Sequence, residues 1–116
     1  MAAILVVEDE PLLNLDVSDA LSSEGYEVIA VTNADDAIKA LEFRSDIHTI
    51  FTDISMPGSM DGLKLAAAVR DRWPPVNIIV TTGMKAPHCD KLPANSIFIA
   101  KPYRNDAVIK AIRSFD

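Results

Sequence analysis

The sequence predicts a parallel α/β fold, a doubly wound sheet with helices on both faces, and two observations predict it. Short apolar runs rich in Ile and Val alternate with longer segments of helical period, the pattern of strands buried on both sides. Four of those runs, Ile4-Leu5-Val6-Val7, Ile50-Phe51-Thr52, Ile78-Ile79-Val80 and Ile97-Phe98-Ile99-Ala100, give way at their ends to Asp9, Asp53, Thr82 and Lys101. Parallel strands line up their carboxyl ends, and open α/β sheets bind ligands along that edge. Two carboxylates, a hydroxyl and an amine would then share one crevice.

Each element has a local reason. Pro11 suits the first position of a first helix that stops before Gly25, with Leu13, Val17, Ala20 and Leu21 as its inner stripe. A second strand follows at about Glu27 to Val31. Thr32 or Asn33 can cap a helix through about Phe43, in which Ala37, Ile38 and Leu41 face inward and Asp35-Asp36 suit the positive end of its dipole. The third strand leads to Asp53. A third helix, about Gly62 to Arg72, buries Leu65, Ala66 and Val69 before Trp73-Pro74-Pro75 ends it. Between strands four and five, Met84 to Asn95 carries Pro87 and Pro93 with little periodicity, so a fourth helix there must be short or irregular. The last helix runs from about Asn105 to Phe115, with Val108, Ile112 and Phe115 on one side.

Bulk composition narrows the function. A length of 116 residues is one domain, residues 1–116, and 49% hydrophobic against 24% charged is enough for a real core. A formal charge of -6 argues against a nucleic-acid or anionic-membrane surface, since both need basic patches. Apolar stretches are only strand-length and no charged leader precedes a long apolar segment, so the chain is expected in the cytoplasm. Cys89 stands alone, which rules out an internal disulfide and a thiolate metal site. His48 and His88 have no partner ligands in sequence and read as surface residues.

Glu8-Asp9-Glu10 after strand one and Asp53 after strand three bring carboxylates to one edge if those strands are neighbours. Crowded carboxylates repel unless a cation or proton intervenes. Oxygen-only ligands favour a hard ion, and a sparse set with room for water suits Mg²⁺ better than Ca²⁺. Lys101 adds a fixed positive charge, well placed to neutralise a phosphoryl group in transfer.

Over Ile4 to Phe115 the chain resembles the receiver domains of two-component response regulators. The motifs that carry the resemblance are Val7-Glu8-Asp9-Glu10, Thr52-Asp53-Ile54-Ser55-Met56-Pro57, Met60-Asp61-Gly62, Thr81-Thr82-Gly83 and Lys101-Pro102-Tyr103. The resemblance implies a flavodoxin-like five-stranded parallel sheet in the order 2-1-3-4-5. It makes Asp53 the phosphoryl acceptor and gives Mg²⁺ the carboxylates of Glu8, Asp9 and Asp53 and the backbone carbonyl of Ser55. Lys101 would pair with Asp53 before transfer and with phosphoryl oxygens afterwards, aimed by a cis peptide before Pro102. Thr82 would bond the phosphoryl group, and Phe98, three positions before Lys101, would be the coupled aromatic switch. Thr81 is the rival of Thr82, which better fits the register of Asn77 to Val80 and Gly83; the rival role for Phe98 is plain core.

The partners implied are a sensor histidine kinase or a histidine phosphotransfer protein upstream, and an effector protein downstream. Docking is expected around Lys85 to Lys91, Phe98 and the exposed side of Asn105 to Arg113, with the chain a monomer or weak homodimer. No effector segment follows Phe115, so output by partner binding is expected. Such a domain is a signalling phosphoacceptor rather than an enzyme, catalysing only its own aspartyl phosphorylation and dephosphorylation. Two departures stand out: Gly58 and Ser59 lengthen the loop before Met60, and Gly83 replaces a common alanine, in partial likeness to a stand-alone subgroup with a Phe-Ala-Thr-Gly type motif. The main alternative is a pseudo-receiver, a docking module that is never phosphorylated, although such modules usually lack an acid, the acceptor or the lysine. An aspartyl hydrolase would carry a second aspartate where Ser55 stands. A nucleotide- or flavin-binding fold would have glycines, not Glu8-Asp9-Glu10-Pro11, after strand one.

Overall fold

Residues 3–54, 62–82 and 96–115 are described by the computed structural model. Strands β1 (Ala3–Val7), β2 (Glu27–Val31), β3 (Ile47–Asp53), β4 (Asn77–Thr82) and β5 (Ile97–Ala100) alternate with helices α1 (Pro11–Ser23), α2 (Ala34–Phe43), α3 (Gly62–Arg72) and, after β5, α4 (Asn105–Arg113). All neighbouring strands pair in parallel, in the order β2-β1-β3-β4-β5. The expected fourth helix, the lengthened loop, His88 and Cys89 lie outside the described residues.

Strand alternation sorts the core into two layers. Leu5, Val7, Ile50, Ile78 and Val80 pack with Ala37, Leu41, Leu65 and Val69 under α2 and α3. On the other face Ile4, Val6, Phe51 and Ile79 pack with Val17 and Leu21 of α1 and Val108 and Ile112 of α4. Each fully buried aliphatic side chain contributes about 1.5–3 kcal/mol, so the two layers together hold the sheet between its helices.

Local chemistry sets the helix ends. Pro11 opens α1, which closes in a Schellman arrangement: the N–H of Tyr26 donates to the Leu21 carbonyl and that of Gly25 to Ser22. Gly25 stands there at φ +95°, a conformation in which a side chain would be strained. The side chain of Asn33 accepts from the Asp36 N–H at the start of α2, and Asp35 and Asp36 occupy its first turn. That settles the cap between Thr32 and Asn33.

At α1 the expected stripe shifts by one residue. Val17 and Leu21 are buried, but the third buried position is Asn14, while Leu13 and Ala20 are half-buried. A polar residue faces inward because it has buried carbonyls to bond.

Strand β3 carries an irregularity. Ala3 pairs with Ile47 while Ile4 pairs with Thr49, so His48 is an extra residue. Half-buried, its Nδ1 lies 2.9 Å from the hydroxyl of Thr49.

Candidate functional site

The carboxyl ends of β1 and β3 adjoin, as the register of Val7 with Thr52 requires. Glu8, Asp9 and Asp53 consequently converge, with one oxygen from each within 4.8 Å of the others. Glu8 is fully buried and Asp53 nearly so, while Asp9 is half-exposed. From beyond β5, Lys101 reaches in: its Nζ donates to Asp53 Oδ2 at 2.8 Å and to Glu8 Oε1 at 3.3 Å. The peptide between Lys101 and Pro102 is cis.

Burial raises the Glu8 carboxyl above its ordinary range, and the charge of Asp53 adds to that, against the Glu10 N–H and Lys101. Burial by itself lowers the Lys101 ammonium, but its hydrogen bond to Asp53 and the charges of Glu8 and Asp53 outweigh it and raise it. Three carboxylates facing one ammonium remain short of positive charge. Glu8 Oε2, buried and 3.3 Å from Lys101 Nζ, has no hydrogen bond among the described residues. A small divalent cation suits that set: hard oxygen donors, crowded, with an unsatisfied buried acceptor among them.

The neighbouring backbone ties the site to β4 and β5. Thr81 pairs with Asp53 across the sheet, its carbonyl accepts from the Ile54 N–H at 2.8 Å, and its hydroxyl is buried with no hydrogen-bond partner among the described residues. Thr82, also buried, ends β4, pairs with Ala100 and accepts from the Lys101 N–H at 3.0 Å. Phe98 is half-buried, pairs with Val80 and packs on the layer under α2 and α3. Ser55 lies outside the described residues.

Three residues at this edge escaped the sequence-based expectation or exceeded it. The side chain of Asn14 donates at 2.9 Å to the carbonyls of both Glu8 and Val31, clamping the ends of β1 and β2 together. Its spacing with Val17 and Leu21, i, i+3 and i+7, was the available signal. Gly62 is required by contact: a Cβ there would lie 2.0 Å from the carbonyl oxygen of Asp53. Its N–H donates to the Ile54 carbonyl, so α3 starts directly against the acidic strand end. Tyr103 stands edge-on to Phe51 with ring centroids 5.4 Å apart. Burial, with the charge of Glu8, pushes its hydroxyl up to about 12, and among the described residues that hydroxyl has no hydrogen-bond partner.

A parallel 2-1-3-4-5 sheet with three acids and a lysine at its carboxyl edge is the arrangement of response regulator receiver domains. The profile of the response regulator receiver domain matches residues 4–113, and the chain belongs to that family, which works in two-component systems. It is 35% identical over 85 residues, 73% of its length, to the response regulator protein FleR of Pseudomonas aeruginosa, and covers 18% of FleR. To the transcriptional regulatory protein TcrA of Mycobacterium tuberculosis it is 29% identical, over 96% of its own length and 44% of TcrA. It thus spans less than half of either relative. Among solved structures, a receiver protein from Sinorhizobium medicae superimposes with a TM-score of 0.90 at 29% identity, covering 97% of this chain and 92% of that one. TrrA from Thermotoga maritima, in complex with Mg²⁺–BeF, matches over 100% of both chains with a TM-score of 0.86 at 27% identity.

Proposed function

We propose that this chain is a phosphoacceptor: it takes a phosphoryl group from a phosphohistidine of a kinase or phosphotransfer protein onto Asp53, with Mg²⁺, and changes partner binding in response. The observation that carries this reading is the convergence of Glu8, Asp9 and Asp53 within 4.8 Å, with Lys101 Nζ 2.8 Å from Asp53. The Thermotoga relative solved with Mg²⁺–BeF supports the choice of ion.

Glu8, Asp9, Asp53 and the carbonyl of Ser55 would hold the ion. When bound, it supplies positive charge to the carboxylates and to phosphoryl oxygens. A carboxylate oxygen of Asp53 attacks phosphorus; the new O–P bond forms as the N–P bond breaks, and its electron pair returns to the imidazole. Lys101 then exchanges its bond to Asp53 for one to a phosphoryl oxygen, which keeps the added charge countered. Thr82 bonds another phosphoryl oxygen, and the Lys101–Thr82 backbone hydrogen bond makes strand β5 respond. Phe98, one strand over and half-buried, is the side chain whose packing reports that change.

Near the acids, a hollow of about 300 Å³ is lined by Leu13, Lys101, Pro102 and Tyr103, and α1 exposes Leu12 and Leu15. Apolar surface there suits a protein donor rather than a free metabolite. The chain works as a signalling phosphoacceptor rather than as a turnover enzyme. No helix among the described residues is long and apolar enough to cross a membrane, and we place the function in the cytoplasm.

Incubation with a small acyl phosphate and Mg²⁺, followed by intact-mass measurement, is expected to add one phosphoryl group to wild type and none to Asp53→Asn. An unmodified wild type would replace this function with that of a docking module.

A further inference from the structure

The buried stripe of α1 opens on a polar residue, Asn14, followed by Val17 and Leu21. Its Nδ2 donates at 2.9 Å to the carbonyls of both Glu8 and Val31, and its Oδ1 accepts from the Ser18 hydroxyl at 3.2 Å. Both hydrogens of the amide are thereby used, and the reverse orientation would set Oδ1 against two carbonyl oxygens. The backbone of Asn14 is fixed as well, since its N–H donates to the Glu10 carbonyl at 2.9 Å in the first turn of α1. The amide is thus carried on a rigid element and aimed at the ends of β1 and β2.

The first of those carbonyls belongs to the peptide that joins Glu8 to Asp9, two of the three acids that converge within 4.8 Å. A peptide unit is planar, so a hydrogen bond to its oxygen sets the directions in which the Glu8 and Asp9 α-carbons leave it, and with them the two side chains. On the amino side of Glu8, its N–H donates at 3.2 Å to the Val31 carbonyl, the other acceptor of Asn14. Within the turn, the Glu10 N–H donates to Glu8 Oε1 at 3.2 Å. The main chain is therefore held on both sides of Glu8, and Asn14 takes part in both contacts. Without the amide, the Glu8–Asp9 peptide can turn about its α-carbon bonds, and such a turn moves the oxygens of the two acids relative to each other. Hydrogen-bond partners that stand behind metal-holding residues typically govern affinity by about 10–100-fold.

We propose that Asn14 is a positioning residue for the cation: by holding the Glu8–Asp9 peptide it fixes how the two carboxylates face one ion. The inference rests on the reading of this edge as a Mg²⁺-dependent phosphoacceptor site. Calorimetric titration of the full chain with magnesium chloride tests it, beside denaturation melts of the same metal-free proteins. Asn14→Ala is expected to weaken Mg²⁺ binding at least about tenfold. Asn14→Gln keeps the amide on a longer side chain and is expected to fall between wild type and Asn14→Ala. Val17→Ala, one turn along the same buried stripe, loses packing against Ile4 and Val6 but no contact to the peptide, so its melt is expected to fall while its Mg²⁺ affinity stays as in wild type. Affinity unchanged in Asn14→Ala overturns the inference, as does a Val17→Ala that loses as much affinity as Asn14→Ala. Should Asn14→Ala fail to fold, Asn14→Gln is judged against Val17→Ala in its place, and wild-type affinity in Asn14→Gln then overturns the inference. A wild type that binds no Mg²⁺ overturns the phosphoacceptor reading together with this one, which separates the two failures.

Discussion

At the carboxyl ends of the strands, charged groups are buried and crowded; at the amino ends they are exposed and already paired. Glu8 and Asp53 share one ammonium, and among the described residues Glu8 Oε2 is left without a hydrogen bond. Arg44 and Arg72, by contrast, sit in surface bridges with Glu27, Asp46 and Glu42. Buried charge without full compensation is costly to folding and is retained where chemistry uses it, whereas exposed bridges add little. One sheet therefore holds a strained end and a relaxed end, joined by the apolar layers between them.

Three substitutions test that contrast. The largest effect is expected from Gly62→Ala, whose Cβ would meet the Asp53 carbonyl oxygen at 2.0 Å. Backbone must move to admit it, at about 3 kcal/mol by chemical denaturation, with the start of α3 displaced from Asp53. A loss below about 0.5 kcal/mol, the size of an ordinary surface change, would show that this end is not tightly packed.

Glu8→Gln is expected to act in the opposite direction in metal-free protein. Because burial raises the Glu8 carboxyl in the folded state, the fold holds that proton more tightly than the unfolded chain does. The destabilisation from ionised Glu8 is full above the folded-state value, fades as pH falls through it, and is gone below the ordinary value of 4.5. Denaturation melts should therefore find Glu8→Gln more stable than wild type at neutral pH, with the difference closing toward pH 4.5. A wild type that is the more stable at neutral pH would mean that Lys101 overcomes burial. The smallest effect belongs to the amino end: Arg44→Ala, which removes bridges to Glu27 and Asp46 from a side chain still 37% exposed, should leave the denaturation midpoint almost unchanged. A clear drop there would erase the distinction between the two ends.

Much of the carboxyl edge was legible because its residues are marked by chain context. Asp9, Asp53, Thr82 and Lys101 stand at or just past the ends of apolar runs, and a parallel sheet carries strand ends to one place. Helix limits were legible where a cap is chemical, as at Pro11, Asn33 and Gly25. Asn14 was not, since its i, i+3, i+7 spacing with Val17 and Leu21 points inward while its polarity hides that it is buried to bond two carbonyls. Nor was the demand for Gly62, because a close approach between β3 and α3 exists only in three dimensions. Phe43 was legible as the end of α2 and, two positions past inward-facing Leu41, as lying off its buried stripe. Ser55 and the segment expected to form an irregular helix lie outside the described residues.

The added residue at His48 has a consequence for how such a chain can vary. Ile47 and Ile50 project into the same layer although three positions separate them, which an unbroken strand forbids. The insertion shifts parity partway along β3, so the outset of the strand can satisfy one packing phase while Asp53 is delivered in another. Changes to the foundation of the sheet are thereby uncoupled from the orientation of its reactive tip.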